Sequence, residues 1–252
     1  IGAVISKTKK LVEEAVSRQL VGDVPVGVFL SGGLDSSAIT AFSAKHYAKK
    51  IDTFSVGFDF QLGEGELPKA RKVAEYIGTN HHEVRVTGYD IADVVQKMVT
   101  QHDSPFADAA NIPLYLLAEE VKDKVKIVLQ GDGGDEIFAG YKRYKTLGVR
   151  ALWAPFIKQA AAIHQAIIPK SAKYFIRQRY LNALGSIDDA ELMALLLTTE
   201  DKESCPINIF SEALLRRFEL IDPFDSYRRC DLRFSHLEIV QRMLFTDTQV
   251  VL

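Results

Sequence analysis

The stretch that most limits the fold is Val26 to Ser37, Val-Gly-Val-Phe-Leu-Ser-Gly-Gly-Leu-Asp-Ser-Ser. It opens on a short apolar run, turns on two glycines, and passes through helix-capping residues into Ala38-Ile39-Thr40-Ala41-Phe42. That order reads as buried strand, tight loop and helix. Paired glycines let backbone N–H groups converge, and the new helix points its positive dipole end at the same place. A concavity of this kind binds phosphate. The hydroxyls of Ser31, Ser36 and Ser37 can donate to it. Asp35, an acid beside anionic oxygens, fits there only with a cation in between, and magnesium is the hard ion that takes carboxylate and phosphate oxygens together. Without a ligand, the same stretch is a buried strand, an ordinary Gly-Gly turn and a Ser-capped helix.

Around this unit, strand and helix signals alternate. An amphipathic helix is predicted over 7–20, with Leu11, Val12, Ala15, Val16 and Leu20 on one face, ended by Asp23 and Pro25. Strands are predicted at 53–58, 82–86 and 126–129, and helices at about 68–78, 88–100 and 112–122, the first of these closed by Gly78. The pattern predicts an α/β fold, a parallel twisted sheet with helices on both faces and a ligand site outside the carboxyl ends of its strands. From Tyr141 onward strand signals fade and helical ones dominate, as at Leu192, Leu195 and Leu196. The expected division is an α/β core at 1–145 and a mainly helical part at 146–252.

A second loop at the end of a strand carries three glycines and three carboxylates in seven residues, Gln130-Gly131-Asp132-Gly133-Gly134-Asp135-Glu136. Acids gathered where the backbone is bare repel one another unless a cation neutralises them. Asp35 and Asp135 are therefore read as two arms holding magnesium on a polyphosphate. The acid spacing of a calcium hand is not matched. The alternative is a Gly-rich helix entry in which Asp135 and Glu136 merely favour the helix dipole.

Composition narrows the partners. A net charge of −2 gives no overall attraction for nucleic acid. No apolar run approaches the roughly 18 to 20 residues that span a bilayer, and Ile1 to Lys7 lacks the form of a signal peptide, so a cytoplasmic protein without a membrane partner is expected. Cys205 and Cys230 have neither metal nor disulfide spacing and read as reduced, packed side chains. His81 and His82 read as hydrogen-bonded structure, Trp153 as core, and His102 as an exposed loop residue. The start at Ile1 and the apolar end at Val250-Val251-Leu252 give the expectation of a piece of a longer chain.

Ser31-Gly32-Gly33-Leu34-Asp35-Ser36 resembles the pyrophosphate loop of the N-type ATP pyrophosphatases. Gly131-Asp132-Gly133-Gly134-Asp135-Glu136 with Gly140-Tyr141 resembles the matching element of the glutamine-dependent asparagine synthetases. Asp23-Val24-Pro25-Val26-Gly27, Thr53 to Phe58, Ala70 to Ala74, His81-His82-Glu83 and Pro105-Phe106-Ala107-Asp108 follow the same family in the same order. The likeness is strong over about 10–145 and looser beyond.

That resemblance implies an adenine nucleotide α-hydrolase-like core and an ATP-dependent amidation of a carboxylate. The acid, with L-aspartate favoured, would be adenylated with release of pyrophosphate, and ammonia would then displace AMP. It also implies roles for particular residues. Leu30, Ser31, Gly32, Gly33, Leu34, Asp35, Ser36, Ser37, Val56, Gln130 and Gly131 would bind ATP and its pyrophosphate. Asp132 would help bind and deprotonate the ammonia, Asp103, Ser104 and Asp108 would face the acid, and Asp35 and Asp135 would take Mg2+. Ammonia would come free or from a glutaminase domain, which this sequence lacks; a phosphate-contacting Lys of the family would follow beyond Leu252. A homodimer is compatible with the resemblance. Ser104 stands where many relatives carry Glu, and Gln130 where they carry Ser, which keeps other carboxylates such as sugar acids open as acceptors. A tRNA-modifying enzyme using the same loop, and a nucleotide-binding module without turnover, are the readings from other classes.

Overall fold

The computed structural model describes residues 1–58, 65–86, 88–102, 110–148, 189–197 and 225–250, with Phe156, Gln159, Ile163, Ser211 and Leu214 singly. Trp153 and Cys205 lie outside the described residues. The chain divides into two compact units, Ile1–Asp132 and Gly133–Leu252.

In the first unit, β1 (Val26–Phe29), β2 (Asp52–Phe58), β3 (Asn80–Val86) and β4 (Ile127–Leu129) form one sheet in the order β3-β2-β1-β4. Every pairing is parallel, with Val28 opposite Thr53 on one side and Leu129 on the other. Between β1 and β2 runs α2 (Leu34–His46), between β2 and β3 runs α3 (Leu67–Ile77), and α4 (Gly88–His102) and α5 (Asn111–Val121) lead to β4. The steps from β1 to β2 and from β2 to β3 go the same way along the sheet, so right-handed crossovers put α2 and α3 on one face. The return to β4 goes the opposite way and puts α5 on the other.

Side chains along β2 agree with that geometry, because alternate residues point to opposite faces. Phe54 packs with Leu117 and Val121 of α5, with Val56 against the same cluster. Gly57, one residue out of phase, sits against Leu67 of α3. Ser55, on the Gly57 side, donates its hydroxyl to the carbonyl of Leu30, whose own amide donates to Phe54 O at 2.8 Å. Gly27 is bare because the Phe54 ring lies on it: a Cβ there would stand 2.7 Å from Phe54 Cε2. The α/β fold expected from the alternation, with helices on both faces of a parallel sheet, is the fold the chain adopts.

Element ends differ modestly from the sequence-based expectation. The first helix, α1, runs Gly2–Gln19 and starts ahead of the predicted residue 7. Its first turns are exposed, so they carry no burial periodicity to read, and nothing in Gly2 to Ser6 breaks a helix. Strand β3 begins at Asn80, two residues ahead of the predicted 82, because Asn80 pairs across the ladder with Asp52. His102, expected in a loop, is the last residue of α4. The Gly78 stop is as predicted: φ is 85°, and its amide donates to Ala74 O at 2.8 Å. His82 bonds Asp52 Oδ1 at 2.9 Å and stacks on Phe54, and His81 Nδ1 lies 3.0 Å from Thr53 Oγ1, both as structural histidines.

The regular secondary structure among the described residues of the second unit is all helix. It contains α6 (Gly134–Phe138), a helical run at 142–148, α7 (Asp189–Leu197), α8 (Asp225–Arg233) and α9 (Ile239–Val250). Tyr144, Leu147, Leu192, Met193, Leu196 and Met243 form its core. Arg242 of α9 ties the helices at a polar edge, donating to Asp231 Oδ1 of α8 at 2.5 Å and to Asp189 Oδ2 of α7 at 2.8 Å. Among the described residues no helix is long and apolar enough to cross a membrane.

Candidate active site

Strand order reverses between β1 and β4, since β1 is followed by a crossover to one side and β4 returns on the other. Two loops leaving neighbouring strands in opposite directions open a crevice at the carboxyl ends. Leu30 to Gly33 leave β1 there, and Gln130 to Asp132 leave β4. Gly131 meets the first turn of α2 so closely that a Cβ on it would lie 2.7 Å from Ser36 N and 3.0 Å from Asp35 Cβ. The loops that the sequence separates by about a hundred residues are thus in contact.

The first loop is held by its own hydroxyls. Ser31 Oγ and Ser36 Oγ share a hydrogen bond of 2.9 Å, Gly33 N donates to Ser31 Oγ at 3.2 Å, and Ser37 Oγ donates to Gly33 O at 2.5 Å. Gly32 has φ 77° and packs on α3, where a Cβ would stand 2.7 Å from Ala70 N. Its glycine therefore serves conformation and packing at once. Gly33 is the N-cap of α2, and no side chain caps that helix. The first amides of α2, at Leu34, Asp35 and Ser36, are the orphan donors every helix start presents. Here they open at the crevice with the dipole behind them. Leu34 points outward and is 86% exposed. Asp35 sits half-buried in this first turn.

Other expected residues fall into distinct environments. Leu30 is buried against Ala70 and Ala74, so its side chain belongs to the core beneath the loop. Val56 is half-buried beside Phe54. Gln130 is exposed and donates through Nε2 to Asp132 Oδ2 at 2.5 Å, which orients the acid next to Gly131. A cavity of about 460 Å³ opens between α1, α2 and the end of β4, with Arg18, Gln19, Ile39 and Gln130 among its lining residues. Asp103, Ser104 and Asp108 lie outside the described residues. Asp135 belongs to the second unit.

For a nucleotide polyphosphate the fit is good: an uncapped helix start, a loop with two adjacent residues, Gly32 and Gly33, that carry no Cβ, and a third glycine, Gly131, pressed against the helix start. For magnesium the donor set is suitable in kind, being carboxylate oxygen. Among the described residues no group of three or more His, Cys, Asp and Glu side chains forms a self-contained metal site. Magnesium at a polyphosphate is held by one or two carboxylates, with phosphates and water completing its shell.

In the second unit, α6 carries Asp135 and Glu136 between two left-handed residues, Gly133 with φ 87° and Ala139 with φ 58°. Glu136 is buried and accepts from the Tyr141 hydroxyl at 3.1 Å. Burial, then the bond to Glu136, pushes Tyr141 up to about 12. Nearby, Asp247 of α9 is fully buried and accepts from Tyr144 OH at 2.5 Å and from Arg143 Nη2 at 3.0 Å. Burial is the largest effect on the Asp247 carboxyl and holds it above the usual carboxylate range against the pull of Tyr144 and Arg143. None of these polar partners was anticipated from the sequence. The available signal was Tyr141-x-Arg143-Tyr144 and an acid, Asp247, that shares the buried side of α9 with Met243 and Thr246.

Comparison with known proteins matches residues 7–251 to the asparagine synthase family model. The glutamine-hydrolysing asparagine synthetase 1 of Bacillus subtilis is 38% identical over 141 residues, 56% of this chain and 22% of that protein. The corresponding enzyme of Asparagus officinalis is 39% identical over 145 residues, 53% of this chain and 24% of its own length. Asparagine synthetase 3 of Arabidopsis thaliana is 32% identical over 200 residues, 70% of this chain and 34% of its own. The chain thus spans about a fifth to a third of the length of these relatives. The NH3-dependent NAD synthetase of Campylobacter jejuni, solved with nitrate, aligns with 85% of this chain and 91% of its own at 12% identity and a TM-score of 0.38.

Proposed function

Because the chain belongs to the asparagine synthase family, we propose that it is the synthetase part of a carbon–nitrogen ligase that amidates a carboxylate, L-aspartate first, at the expense of ATP. The observation that carries this reading is the uncapped start of α2 at the strand-order reversal, with Gly131 packed against it. An oxygen of the acid attacks the α-phosphorus of ATP, the bond to the β-phosphate oxygen breaks, and pyrophosphate leaves. The amides of Leu34, Asp35 and Ser36 face the negative charge that grows on that leaving group, with the dipole of α2 reinforcing them. Ammonia then attacks the acyl carbon, loses a proton, and AMP departs.

Each remaining residue has a task within that scheme. Ser31 and Ser36 keep the loop closed by their mutual bond, and Val56 borders the nucleotide base together with the backbone of Leu30, whose side chain stays in the core. Gln130 aligns the Asp132 carboxylate, which takes the proton that the nitrogen sheds. Asp103, Ser104 and Asp108 are the candidates for the acid's own groups. Asp35 and Asp135 would hold Mg2+, which neutralises polyphosphate charge when bound. Ammonia arrives free or from a glutaminase domain, and the enzyme works in the cytoplasm.

Phosphorus NMR of the protein with ATP, magnesium and ammonium tests the scheme, with L-aspartate, a uronic acid or no acceptor. AMP and pyrophosphate that form only with L-aspartate, and vanish in Asp35→Asn, support it. Asp132→Asn is expected to retain pyrophosphate release and to slow amide formation by about 100-fold. Turnover with the uronic acid alone moves the acceptor to the sugar acids, and intact ATP under all conditions removes the ligase reading.

A further inference from the structure

Helix α6 is an unusual carrier for a ligand-binding acid. It has five residues, too few to be stable alone. Its apolar side chains do not anchor it, since Ile137 is 60% and Phe138 58% exposed. What is buried is an acid, Glu136. The helix is therefore held by polar contacts, and these can be followed outward. Glu136 Oε1 accepts from Tyr141 OH, and the Tyr141 ring lies under the Arg143 guanidinium, whose carbon is 4.0 Å from the ring centroid. Arg143 donates to Asp247 on α9, as does Tyr144, and α9 packs against α6. Asp135 itself is folded over Gly140, whose amide donates to Asp135 O at 3.0 Å and which has no room for a Cβ against the Asp135 carboxylate.

We propose that Tyr141 and Asp247 are positioning residues that fix the direction of the Asp135 carboxylate, Tyr141 through Glu136 and Asp247 through Arg143 and Tyr144. The inference rests on the reading of Asp135 as a magnesium ligand. The network is costly enough to need a reason. Glu136 Oε2, Asp247 Oδ1 and Arg143 Nε are all buried without a hydrogen-bond partner. An apolar anchor at the same positions would hold the helix without that penalty, but only polar contacts with fixed directions prevent it from rotating about its axis. Rotation of a single turn by a few tens of degrees would change the direction in which the Asp135 carboxylate meets an ion. Loss of an outer partner of a ligating carboxylate weakens metal binding without removing a ligand.

The test is a paramagnetic titration of the intact protein with Mn2+ as the probe, in the presence of ATP, followed by EPR, with unfolding midpoints measured alongside. Tyr141→Phe removes one hydroxyl, and Asp247→Asn keeps the shape and an acceptor oxygen. Both are expected to weaken Mn2+ binding by about tenfold while leaving metal-free ATP binding unchanged. Leu196→Ala, in the core of the same unit, is the control for lost stability alone and is expected to lower the midpoint without moving the Mn2+ affinity. Asp135→Asn separates the two levels. If it binds Mn2+ like the native protein, the assignment of Asp135 falls and the inference with it. If it is weakened while Tyr141→Phe and Asp247→Asn match the native protein, or no more than Leu196→Ala does, the positioning role alone is overturned.

Discussion

A Cβ on Gly131 would stand 2.7 Å from the amide nitrogen of Ser36, so the backbone of the loop after β4 lies directly on the first turn of α2. This contact joins the two glycine loops into one crevice. It is made by backbone, and no larger residue at either point could make it without displacing a helix that the sheet holds in place.

Replacing Gly131 by Ala should therefore spread the loops by several tenths of an ångström. Overpacking of this kind costs about 1–3 kcal/mol. Part of that falls on the nucleotide site, and binding of an ATP analogue should weaken by about tenfold, the equivalent of about 1.4 kcal/mol. Calorimetric titration reads it, and unchanged affinity would mean that the contact is not needed for binding.

Adjacent glycines in the first loop should respond differently. Gly32 has φ 77° and faces Ala70 N at 2.7 Å, whereas Gly33 has φ −73° and meets nothing nearer than Ser31 Oγ at 3.2 Å. Gly32→Ala adds about 1–2 kcal/mol of backbone strain to the overpacking. Gly33→Ala costs only a few tenths to about 1 kcal/mol. Urea unfolding of the two variants should differ clearly in midpoint, and equal midpoints would contradict the assigned geometry.

Stability should fall on mild acidification because of His81. Burial holds its imidazole below the ordinary 6.5, and Glu83, 3.8 Å away, offsets only part of that. The unfolded chain then binds the proton more readily than the folded one. The stabilising difference is complete above about 6.5 and is lost as pH falls through that value toward the lower folded one. Thermal midpoints at pH 7.5, 6.5 and 5.5 should decline, less steeply in His81→Asn. Parallel slopes would assign the effect to other groups.

Arg242 should matter through geometry as much as charge. Its fork reaches Asp189 and Asp231 together, and the three side chains are 15%, 35% and 19% exposed. Lysine cannot span both acids. Arg242→Ala should destabilise by about 1–3 kcal/mol, less than a fully buried pair would lose, because water partly screens these charges. Arg242→Lys should recover less than half of it. Chemical denaturation measures both, and full recovery by Lys would show that one charge contact suffices.

Some of the molecule could be read directly from residue order. The strand, glycine turn and helix at Val26 to Phe42 were legible because a buried strand, a bare turn and a helix start each impose a local residue choice. The stop at Gly78 was legible for the same reason, since a left-handed residue is chosen locally. The first turns of α1 were not, because they face water and bear no period. The polar anchor of α6 was also hidden: Tyr141 and Arg143 look like an ordinary solvated helix start until Asp247, a hundred residues later, is placed beside Arg143.

What the sequence determined by itself was the chemistry on offer, two bare loops rich in carboxylate and hydroxyl groups, each at the end of a strand, because such preferences act within a few residues. Only the tertiary structure decided that Gly131 meets Ser36, that Leu30 turns into the core while Leu34 faces out, and that Asp52 pairs with His82. Those outcomes depend on strand order, crossover hand and close packing, which couple residues far apart in the chain and leave no local trace.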